Sequence, residues 1–411
     1  MKKRWLSLLL TLCMLVIFAP AAMANDETQE IYVSQISGSD EGVTGEQAEP
    51  YATLAKAVDE AQDGATIYVM DDLTVNSLAR ITDKHVTITS VDPKNPVTLT
   101  RGSVGGSDNN QHFYNSAMIE VTTTASEDSE NASSVTLKDI ILTDDGKHDG
   151  TYFAQTNSKT ISEDNKDFVQ DSMVTAHGKS NRVVNIILDS GAVLEDYGGM
   201  SAVYGTMNAH ITMKSGSVIT APNVTDRVKS DAKPKDETGP AGAVWLQGAE
   251  FNMEAGAEIK DMVGRAIYAD GGTATINGTI SNITCDTDMW QGKSGVAIHI
   301  RGGAQASFES LAVFNNEGVS TKVDSTVYVT NNSTFTMKFG SVIKNVTGTG
   351  IAGRGNHTGE PDNIKISING EICGIKEGGN AINLNESDGL YCLIGPNADI
   401  HDNTVCVGMV P

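Results

Sequence analysis

Aromatic side chains in polar stretches are the residues of this sequence whose type and surroundings first suggest chemistry. An exposed ring offers a flat apolar face on which a sugar ring can stack, and its polar tip can bond a hydroxyl group. Trp290, Tyr114 and Tyr152 all lie in polar segments, and we interpret them as candidate ligand-binding residues. We expect the neighbouring Phe113 and Phe153 to pin their segments to the body of the protein.

The usual motifs of catalytic sites are missing from the sequence. It contains no G-x-S-x-G, no H-E-x-x-H and no P-loop. The eight histidines are scattered, and we interpret a lone strand histidine such as His299 as structural. Trp245 lies in an alternating strand pattern, so we interpret it as a packing residue. These residues alone favour binding over catalysis, and we predict no metal site.

The first 24 residues have the pattern of a secretory signal peptide. Lys2, Lys3 and Arg4 form a basic start, residues 6–18 are apolar, and 22–24 read Ala-Met-Ala, a typical cleavage site. We therefore predict that residues 1–24 are removed. The mature protein is then secreted, and is extracellular or associated with the cell surface.

Charge and hydropathy exclude several classes of partner. The formal net charge is −23, and losing the signal peptide would make the chain more acidic still. Such a chain lacks the basic patch that nucleic-acid binding requires. No apolar run after the signal peptide reaches the roughly 18 residues of a membrane span, so we expect no direct membrane insertion. The hydrophobic content of 39% argues against disorder.

Four cysteines remain after removal of the signal peptide: Cys285, Cys373, Cys392 and Cys406. In an oxidising compartment an even number allows disulfides, with three possible pairings. The alternative is that they are buried, unpaired side chains within strands. No C-x-x-C spacing occurs, which argues against a structural zinc site.

Residues 25–64 predict a strand followed by one short helix. The apolar residues Leu54, Ala57, Val58 and Ala61 share one helical face. Thr53 precedes them as a candidate N-cap, and Gly64 is placed to end the helix.

The later part of the chain repeats one phrase, in which a short strand, a glycine corner and an isoleucine recur. Copies begin at His210, Glu250, Thr275, Thr334 and Lys365, with an earlier one at Leu188. A second strand follows in most units, at 201–204, 242–246, 265–268, 295–300, 325–329 and 380–384. Ragged repeats of this length indicate a solenoid in which coils stack strand on strand, rather than a regular propeller. We expect Met213, Met253 and Met337 to align in one ladder, and Ile219, Ile259, Ile280, Ile343 and Ile372 in another.

The phrase x-F-x-M-x-x-G-x-x-I followed by G-A-V-Y resembles the right-handed parallel β-helix proteins of the pectin-lyase-like superfamily. It is most similar to secreted, repeat-rich β-helix proteins of Gram-positive bacteria. The opening residues 32–34, 50–57 and 66–69 resemble the same group. The resemblance implies an all-β, right-handed parallel β-helix over residues 65–411, with a short N-terminal helix that caps the open end of the solenoid.

Polygalacturonases of that superfamily carry N-T-D, D-D, G-H-G and R-x-K motifs, and fragments of these are present. Asp144 and Asp145 form a D-D pair, His177 lies in a defective A-H-G, and Arg227 and Lys229 form an R-x-K. The resemblance makes these five residues the candidate catalytic residues, with the acid and base roles that glycoside hydrolysis requires. No N-T-D precedes them, and the R-x-K lies in a polar stretch that is typical of a loop.

Pectate lyases, a second branch of the resemblance, carry an R-x-P-x-x-R stretch that this sequence lacks. The acidic stretches 163–165 and 286–288 are only loosely similar to calcium ligands. We therefore predict no cofactor, with calcium as the one possibility that remains open.

Four long insertions interrupt the predicted coils, near 103–134, 143–179, 221–241 and 352–362. Insertions of this kind project from one flank of a solenoid without cost to its core. We predict a non-catalytic surface or adhesion module that binds a carbohydrate, or a host or cell-surface glycoprotein, on this flank. One alternative is a polysaccharide lyase or glycoside hydrolase on the same fold, and the other is a passive shaft of a larger surface protein.

Overall fold

The protein is described by a computed structural model that covers residues 28–102, 117–124, 128–144, 172–179, 181–197, 201–224, 242–284, 296–317, 319, 323–355, 363–376, 378–385 and 389–410. Within these residues the structure contains one helix and 34 strands, arranged in three parallel sheets. No helix in these ranges has the length and apolar character of a membrane span.

Sheet A contains twelve strands. They are β1 (Glu30–Val33), β2 (Ala65–Val69), β5 (His85–Ser90), β8 (Ser129–Lys138), β11 (Arg182–Leu188), β14 (Ala209–Met213), β17 (Glu250–Met253), β20 (Thr273–Ile276), β23 (Gln305–Phe308), β26 (Thr334–Met337), β29 (Ile364–Ile368) and β32 (Leu390–Ile394).

Sheet B contains eleven strands. They are β3 (Leu73–Val75), β6 (Thr98–Arg101), β9 (Ile140–Thr143), β12 (Ala192–Glu195), β15 (Val218–Thr220), β18 (Glu258–Val263), β21 (Thr279–Thr284), β24 (Val313–Asn315), β27 (Val342–Lys344), β30 (Glu371–Cys373) and β33 (Asp399–His401).

Sheet C also contains eleven strands. They are β4 (Ala79–Thr82), β7 (Ile119–Thr122), β10 (Ser172–His177), β13 (Ser201–Thr206), β16 (Val244–Gln247), β19 (Ile267–Asp270), β22 (Val296–Arg301), β25 (Val323–Thr330), β28 (Gly348–Arg354), β31 (Asn380–Asn385) and β34 (Val405–Val410).

The order of the strands makes the chain a parallel β-helix, as the repeat and the resemblance predicted. From β2 onward the chain visits sheets A, B and C in turn, and each strand pairs in parallel with the strand of the same sheet in the next coil. Right-handed crossovers are the rule for parallel strands because of their twist. Each residue therefore lies above its equivalent in the neighbouring coil, so that columns of equivalent residues run along the solenoid.

The interior contains the two predicted ladders, and the register confirms both. On sheet A, Met213 pairs with Met253, and the column continues through Ile276 and Phe308 to Met337. On sheet B the column is Ile219, Ile259, Ile280, Phe314, Ile343 and Ile372. These side chains are at most 1% exposed. Since burial of apolar surface is the main favourable term in folding, these columns supply much of the stability of the fold.

The helix, α1 (Leu54–Glu60), packs Leu54, Ala57 and Val58 into the core next to β1 and β4. The Thr53 side chain accepts a hydrogen bond from the Lys56 amide, which confirms the predicted N-cap. The C-cap, however, is Ala61 in an extended conformation. Gly64, at φ +82°, instead forms the left-handed turn into β2.

Asparagine and aspartate occupy left-handed backbone positions within or directly after strands of sheet B. Asp261, Asn282 and Asn345 all have φ between 50° and 58°, a conformation that short polar side chains tolerate better than most. The Asn282 amide also donates to the Asp261 carboxylate of the preceding coil, at 2.7 Å. The Asn-x-Thr triplets at 282 and 345 are thereby explained as turn residues.

From β2 onward, the four longest connections between consecutive strands run from sheet B to sheet C. They join β6 to β7, β9 to β10, β15 to β16 and β21 to β22. Three of the four predicted insertions fall at this corner, and the fourth, near 352–362, falls between β28 and β29. Strand β10 lies inside the predicted insertion 143–179, and β7 lies inside 103–134. The B-to-C corner borders one edge of sheet C along much of the solenoid.

Two of the four cysteines have described side chains. Cys373 on β30 and Cys392 on β32 are both unpaired thiols of intermediate exposure. They agree with the unpaired alternative for these two residues, while the side chains of Cys285 and Cys406 lie outside the described part of the protein.

The ladder makes a prediction about stability. Replacing Phe314 by Ala should destabilise the protein by about 3–5 kcal/mol, because it leaves a cavity between Ile280 and Ile343. Urea denaturation monitored by circular dichroism would measure the loss. Leu311→Ala, three residues away and 61% exposed, should change stability by less than about 0.5 kcal/mol. Equal effects of the two substitutions would contradict the described packing.

Candidate functional site

The outer face of sheet C carries a column of ring side chains. On β13, Val203 and Gly205 point into the core, where a side chain on Gly205 would meet Ile211. Side chains alternate along a strand, so Tyr204 and Thr206 point outward. The register places Trp245, Tyr268, His299 and Tyr328 in line with Tyr204 on successive coils. We call these five residues the aromatic column.

The rings of the aromatic column contact one another along its length. The centroid distances are 4.5 Å from Tyr204 to Trp245, 6.5 Å from Trp245 to Tyr268, 5.3 Å from Tyr268 to His299 and 5.2 Å from His299 to Tyr328. Such separations are typical of favourable ring pairs. Tyr204 is buried, whereas Trp245, His299 and Tyr328 are partly exposed. The column therefore forms a continuous aromatic strip along the solenoid.

One end of the strip is charged. Arg80 on β4 pairs with Glu120 on β7, and the Glu120 side chain is only 4% exposed. His177, at the end of β10, places Nε2 3.9 Å from Glu120 Oε1 and packs its ring edge against Tyr204. A carboxylate, a guanidinium and an imidazole thus meet where the aromatic column begins.

Polar side chains border the middle of the strip. Arg301 lies 3.6 Å from Asp270 and donates to the Tyr268 hydroxyl at 3.3 Å. The guanidinium of Arg265 lies 5.2 Å from the centre of the Tyr268 ring, within the range of a cation–π contact. Tyr204 donates from its hydroxyl to the Gln247 side chain at 2.5 Å. The rings are thus fixed in place by their polar neighbours.

Several polar atoms of this face have no hydrogen-bond partner among the residues that the structure describes. They are Thr175 Oγ1, both ring nitrogens of His177, Trp245 Nε1, His299 Nδ1 and Asn383 Oδ1. Thr175 and Asn383 belong to the same register line as the aromatic column. Each unsatisfied buried group costs free energy, so concentrations of them occur where a ligand or water supplies the missing bond.

Burial changes the acid–base behaviour of the strip. It lowers the pKa of His177 from 6.5 to about 4, and the charge of Arg80 contributes in the same direction. It also holds the pKa of His299 well below the usual value, with Arg265 and Arg301 contributing. The pKa of the Tyr204 hydroxyl is raised, again mainly by burial. Both imidazoles are therefore neutral at pH 7, and can donate or accept hydrogen bonds.

The structure separates Asp144 from His177, two of the predicted catalytic residues. Asp144 forms an ion pair with Arg101, at 2.6 Å from Oδ1 to Nε, and both side chains are fully buried. Arg101 also lies against the carbonyl of Ser172, the first residue of β10, whereas His177 is the last residue of that strand. At about 3.3 Å per residue, the two sites are roughly 16 Å apart. Asp144 therefore lies in a buried ion pair with Arg101, away from the aromatic strip.

The remaining predicted site residues lie outside the described residues. They are the catalytic candidates Asp145, Arg227 and Lys229 and the ligand-binding candidates Trp290, Tyr114 and Tyr152. The possible calcium-binding stretches 163–165 and 286–288 lie there too. Of the two candidates that the structure describes, Asp144 and His177, only His177 adjoins the aromatic strip.

Trp245, predicted to be a packing residue, packs against Tyr204 and Tyr268 on the outer face of sheet C and not in the core. Val244 and Leu246 are fully buried in the core, so the residue between them must point to the outer face. This outward orientation accounts for the partial exposure of Trp245 and for its place in the aromatic column. The sequence did contain the signal, because aligning the second strands of the repeats places Tyr204, Trp245, Tyr268, His299 and Tyr328 at one position.

The geometry suits binding of an extended ligand better than a two-carboxylate hydrolysis. Glycosidases place their two carboxyl groups roughly 5–9.5 Å apart. The two carboxylates in the described outward columns, Glu120 and Asp270, lie four strands apart, or about 19 Å at 4.8 Å per strand. A strip of rings bordered by polar groups, in contrast, matches the mixture of apolar and polar contacts that a saccharide needs.

The lowered pKa of His177 predicts a pH dependence of stability. Below pH 6.5 the unfolded chain takes up a proton at His177 that the folded chain accepts only near pH 4. The free energy of unfolding should therefore fall as the pH drops from about 6.5 to about 4, by up to roughly 3 kcal/mol.

Urea denaturation at several pH values would measure this loss in the wild type and in His177→Gln. The substitution should flatten part of the slope in this window and leave the pH range above 7 unaffected. An unchanged slope would show that His177 is not the group responsible.

No protein-family model matches the sequence, and no curated protein matches it. Solved structures with a similar fold include the native GH136 lacto-N-biosidase from Eubacterium ramulus, at 9% identity and a TM-score of 0.46, over 91% of this chain and 68% of that one. The selenomethionine form of that protein gives 10% identity and a TM-score of 0.41, over 93% and 68%. XylC in complex with xylose gives 9% and 0.33, over 88% and 70%. At these identities the likeness concerns the fold alone.

Proposed function

We propose that the protein binds a carbohydrate chain along the outer face of sheet C. The aromatic column is the observation that supports this proposal. Three of its rings, those of Trp245, His299 and Tyr328, are partly exposed and span about 14 Å at 4.8 Å per strand, while Tyr204 and Tyr268 are buried beside them. Such a strip fits a run of several sugar units that lies parallel to the solenoid axis.

Polar groups along the strip support a saccharide over an apolar ligand. The unpartnered atoms of Trp245, His299 and Asn383 match the hydroxyl groups of a sugar, which both donate and accept hydrogen bonds. Gln247 and Asp270, which pair in the neighbouring column, offer further hydrogen-bonding groups. A purely apolar ligand would leave these groups unsatisfied, at a cost of about 1–3 kcal/mol each.

The proposed binding site lies on a strand face, whereas the sequence predicted a site on the loops. The strands of this face directly follow the long connections from sheet B in the chain. We retain the predicted secreted or cell-surface location, and a free polysaccharide or the glycan of a glycoprotein as the partner. The location rests on the signal-peptide pattern, and the partner rests on the aromatic column.

Trp245→Ala should weaken binding to a soluble polysaccharide at least about ten-fold, because truncating a central aromatic residue removes the largest contact area of such a site. A glycan array, followed by affinity electrophoresis on neutral and acidic polysaccharides, would identify the ligand and measure the change. Tyr391→Ala removes a ring that is 64% exposed on sheet A and should have no effect.

Two results would contradict the proposal. One is a wild-type protein that retains none of the glycans, and the other is equal binding by wild type, Trp245→Ala and Tyr268→Ala. Circular dichroism of each variant would show that the fold is intact.

A glycoside hydrolase is the second candidate, and the surroundings of Glu120 favour it. This carboxylate is almost fully buried and lies beside a neutral imidazole on the ligand-binding face. A buried carboxyl group next to a partner that carries or accepts a proton is a common arrangement for acid–base catalysis. The second carboxylate would then come from outside the two described columns.

Release of reducing ends from the polysaccharides that bind would test catalysis. If the protein is a hydrolase, Glu120→Gln should reduce turnover at least about a hundred-fold, because it removes the acid–base group. Asp270→Asn, at the distant carboxylate, should retain most of the turnover. Binding without turnover by the wild type would eliminate the hydrolase and leave the binding module.

A further inference from the structure

We propose that Glu371, Cys373 and His401 form a binding site for a divalent metal ion of the zinc class, which joins the last two described coils. One ligand atom of each residue lies within 4.8 Å of the other two. The site is on the outer face of sheet B, away from the aromatic column. It goes beyond the proposed function, which does not depend on it.

Coil stacking assembles the three ligands from two strands. Glu371 and Cys373 lie two residues apart on β30, so their side chains point to the same face. Cys373 pairs in register with His401 on β33, and Glu371 pairs with Asp399. Because the histidine comes from the next coil, the sequence shows none of the short spacings by which zinc sites are usually recognised.

The distances suit a single bound ion. The Cys373 thiol donates to Glu371 Oε1 at 3.1 Å, and His401 Nε2 lies 3.4 Å from the same oxygen. In a tetrahedral zinc site, bonds of about 2.0–2.3 Å place neighbouring ligand atoms roughly 3.4 Å apart. An ion that replaces the thiol proton can therefore bind all three atoms with only small side-chain movements.

A fourth residue orients the histidine for this role. His401 Nδ1 lies 3.0 Å from Asp402 Oδ2. A proton on Nδ1, donated to this carboxylate, leaves the lone pair of Nε2 directed toward Glu371 and Cys373. Metal-binding histidines usually show this pattern, in which a carboxylate fixes the tautomer and makes the imidazole a better ligand. Asp399 Oδ2, 3.9 Å from Nε2, is available for the remaining position.

The charges around the three ligands also favour a cation. Three carboxylates, those of Glu371, Asp399 and Asp402, face one lysine, Lys344, which pairs with Cys373 from the preceding coil. Burial and the Glu371 carboxylate raise the pKa of the Cys373 thiol to about 12. The hydrogen bond with Asp402 raises the pKa of His401. Without a metal, the Cys373 thiol therefore keeps its proton near neutral pH.

Binding exchanges those protons for the ion. The Cys373 sulfur loses its proton to solvent and forms the bond to the metal, so one proton per ion is released. A second proton leaves His401 when that ring is charged. Thiolate and imidazole ligands select zinc and similar ions over calcium and magnesium, which prefer oxygen ligands.

A metal at this position would cross-link β30 and β33 at the end of the described solenoid. Among the described strands, β33 is the last of sheet B and pairs with β30 alone. Terminal strands of a stacked array open most easily, since each coil is held only by its neighbours. A bond between β30 and β33 through the ion would slow that opening.

The test is a titration of the reduced, full-length protein with Co²⁺ as a spectroscopic probe, followed by displacement with Zn²⁺. One equivalent should produce the charge-transfer absorption of a thiolate–cobalt bond. Cys373→Ser should abolish that absorption, and the surface variant His401→Gln should weaken Co²⁺ affinity at least ten-fold. Cys392→Ser, which removes the other described thiol, should bind as the wild type does.

Hydrogen exchange gives a second readout that needs no absorption. Zn²⁺ should slow amide exchange in residues 399–401 of the wild type and have no effect in Cys373→Ser. Absence of the thiolate absorption in the wild type would overturn the proposal, as would its persistence in Cys373→Ser. Unchanged affinity in His401→Gln would overturn the three-ligand site.

Discussion

In-register parallel pairing between successive coils is the constraint on which the rest of the structure depends. Each strand lies about 4.8 Å from its equivalent in the next coil, so equivalent positions form columns along the solenoid. Facing inward, the columns are hydrophobic ladders such as the one through Ile280, Phe314 and Ile343. Facing outward on sheet C, the same rule produces the aromatic column. One pairing geometry therefore creates both the core and the site.

The same geometry brings together residues that are distant in sequence. Arg80, Glu120 and His177 come from three successive coils, yet they meet at one end of the strip. Arg101 and Asp144 meet in the same way at the corner between sheets B and C. On a solenoid, two residues can therefore meet only if they occupy suitable positions within their coils and the coils are neighbours. A search for motifs that are contiguous in the sequence does not find such sites.

The repeat was sufficient to predict the fold, because the spacing of Met213, Met253 and Met337 already reflects the stacking of coils. Thr53 was recognisable as an N-cap because its partner is three residues away. The site was harder to predict. Alternation shows that Trp245 and its neighbours point in opposite directions, but only the burial of Val244 and Leu246 decides which of them points inward. Contacts such as that between Glu120 and His177 further require the lengths of the intervening coils, which vary too much in this chain for the register to be derived from the sequence.

Several features that lower the stability of the fold occur on sheet C, and they argue against a protein that is only a passive shaft. The outward positions of sheet A are largely threonine, serine and asparagine, as in Thr275, Ser307 and Thr336, which solvate well and favour strands. Sheet C instead carries two histidines whose charged forms are disfavoured, a buried carboxylate and several polar atoms without partners. Each of these features lowers stability, and a shaft would gain nothing from any of them. Proteins retain such locally unfavourable features where a site needs them, so their concentration on sheet C supports our proposal that this face is the functional surface.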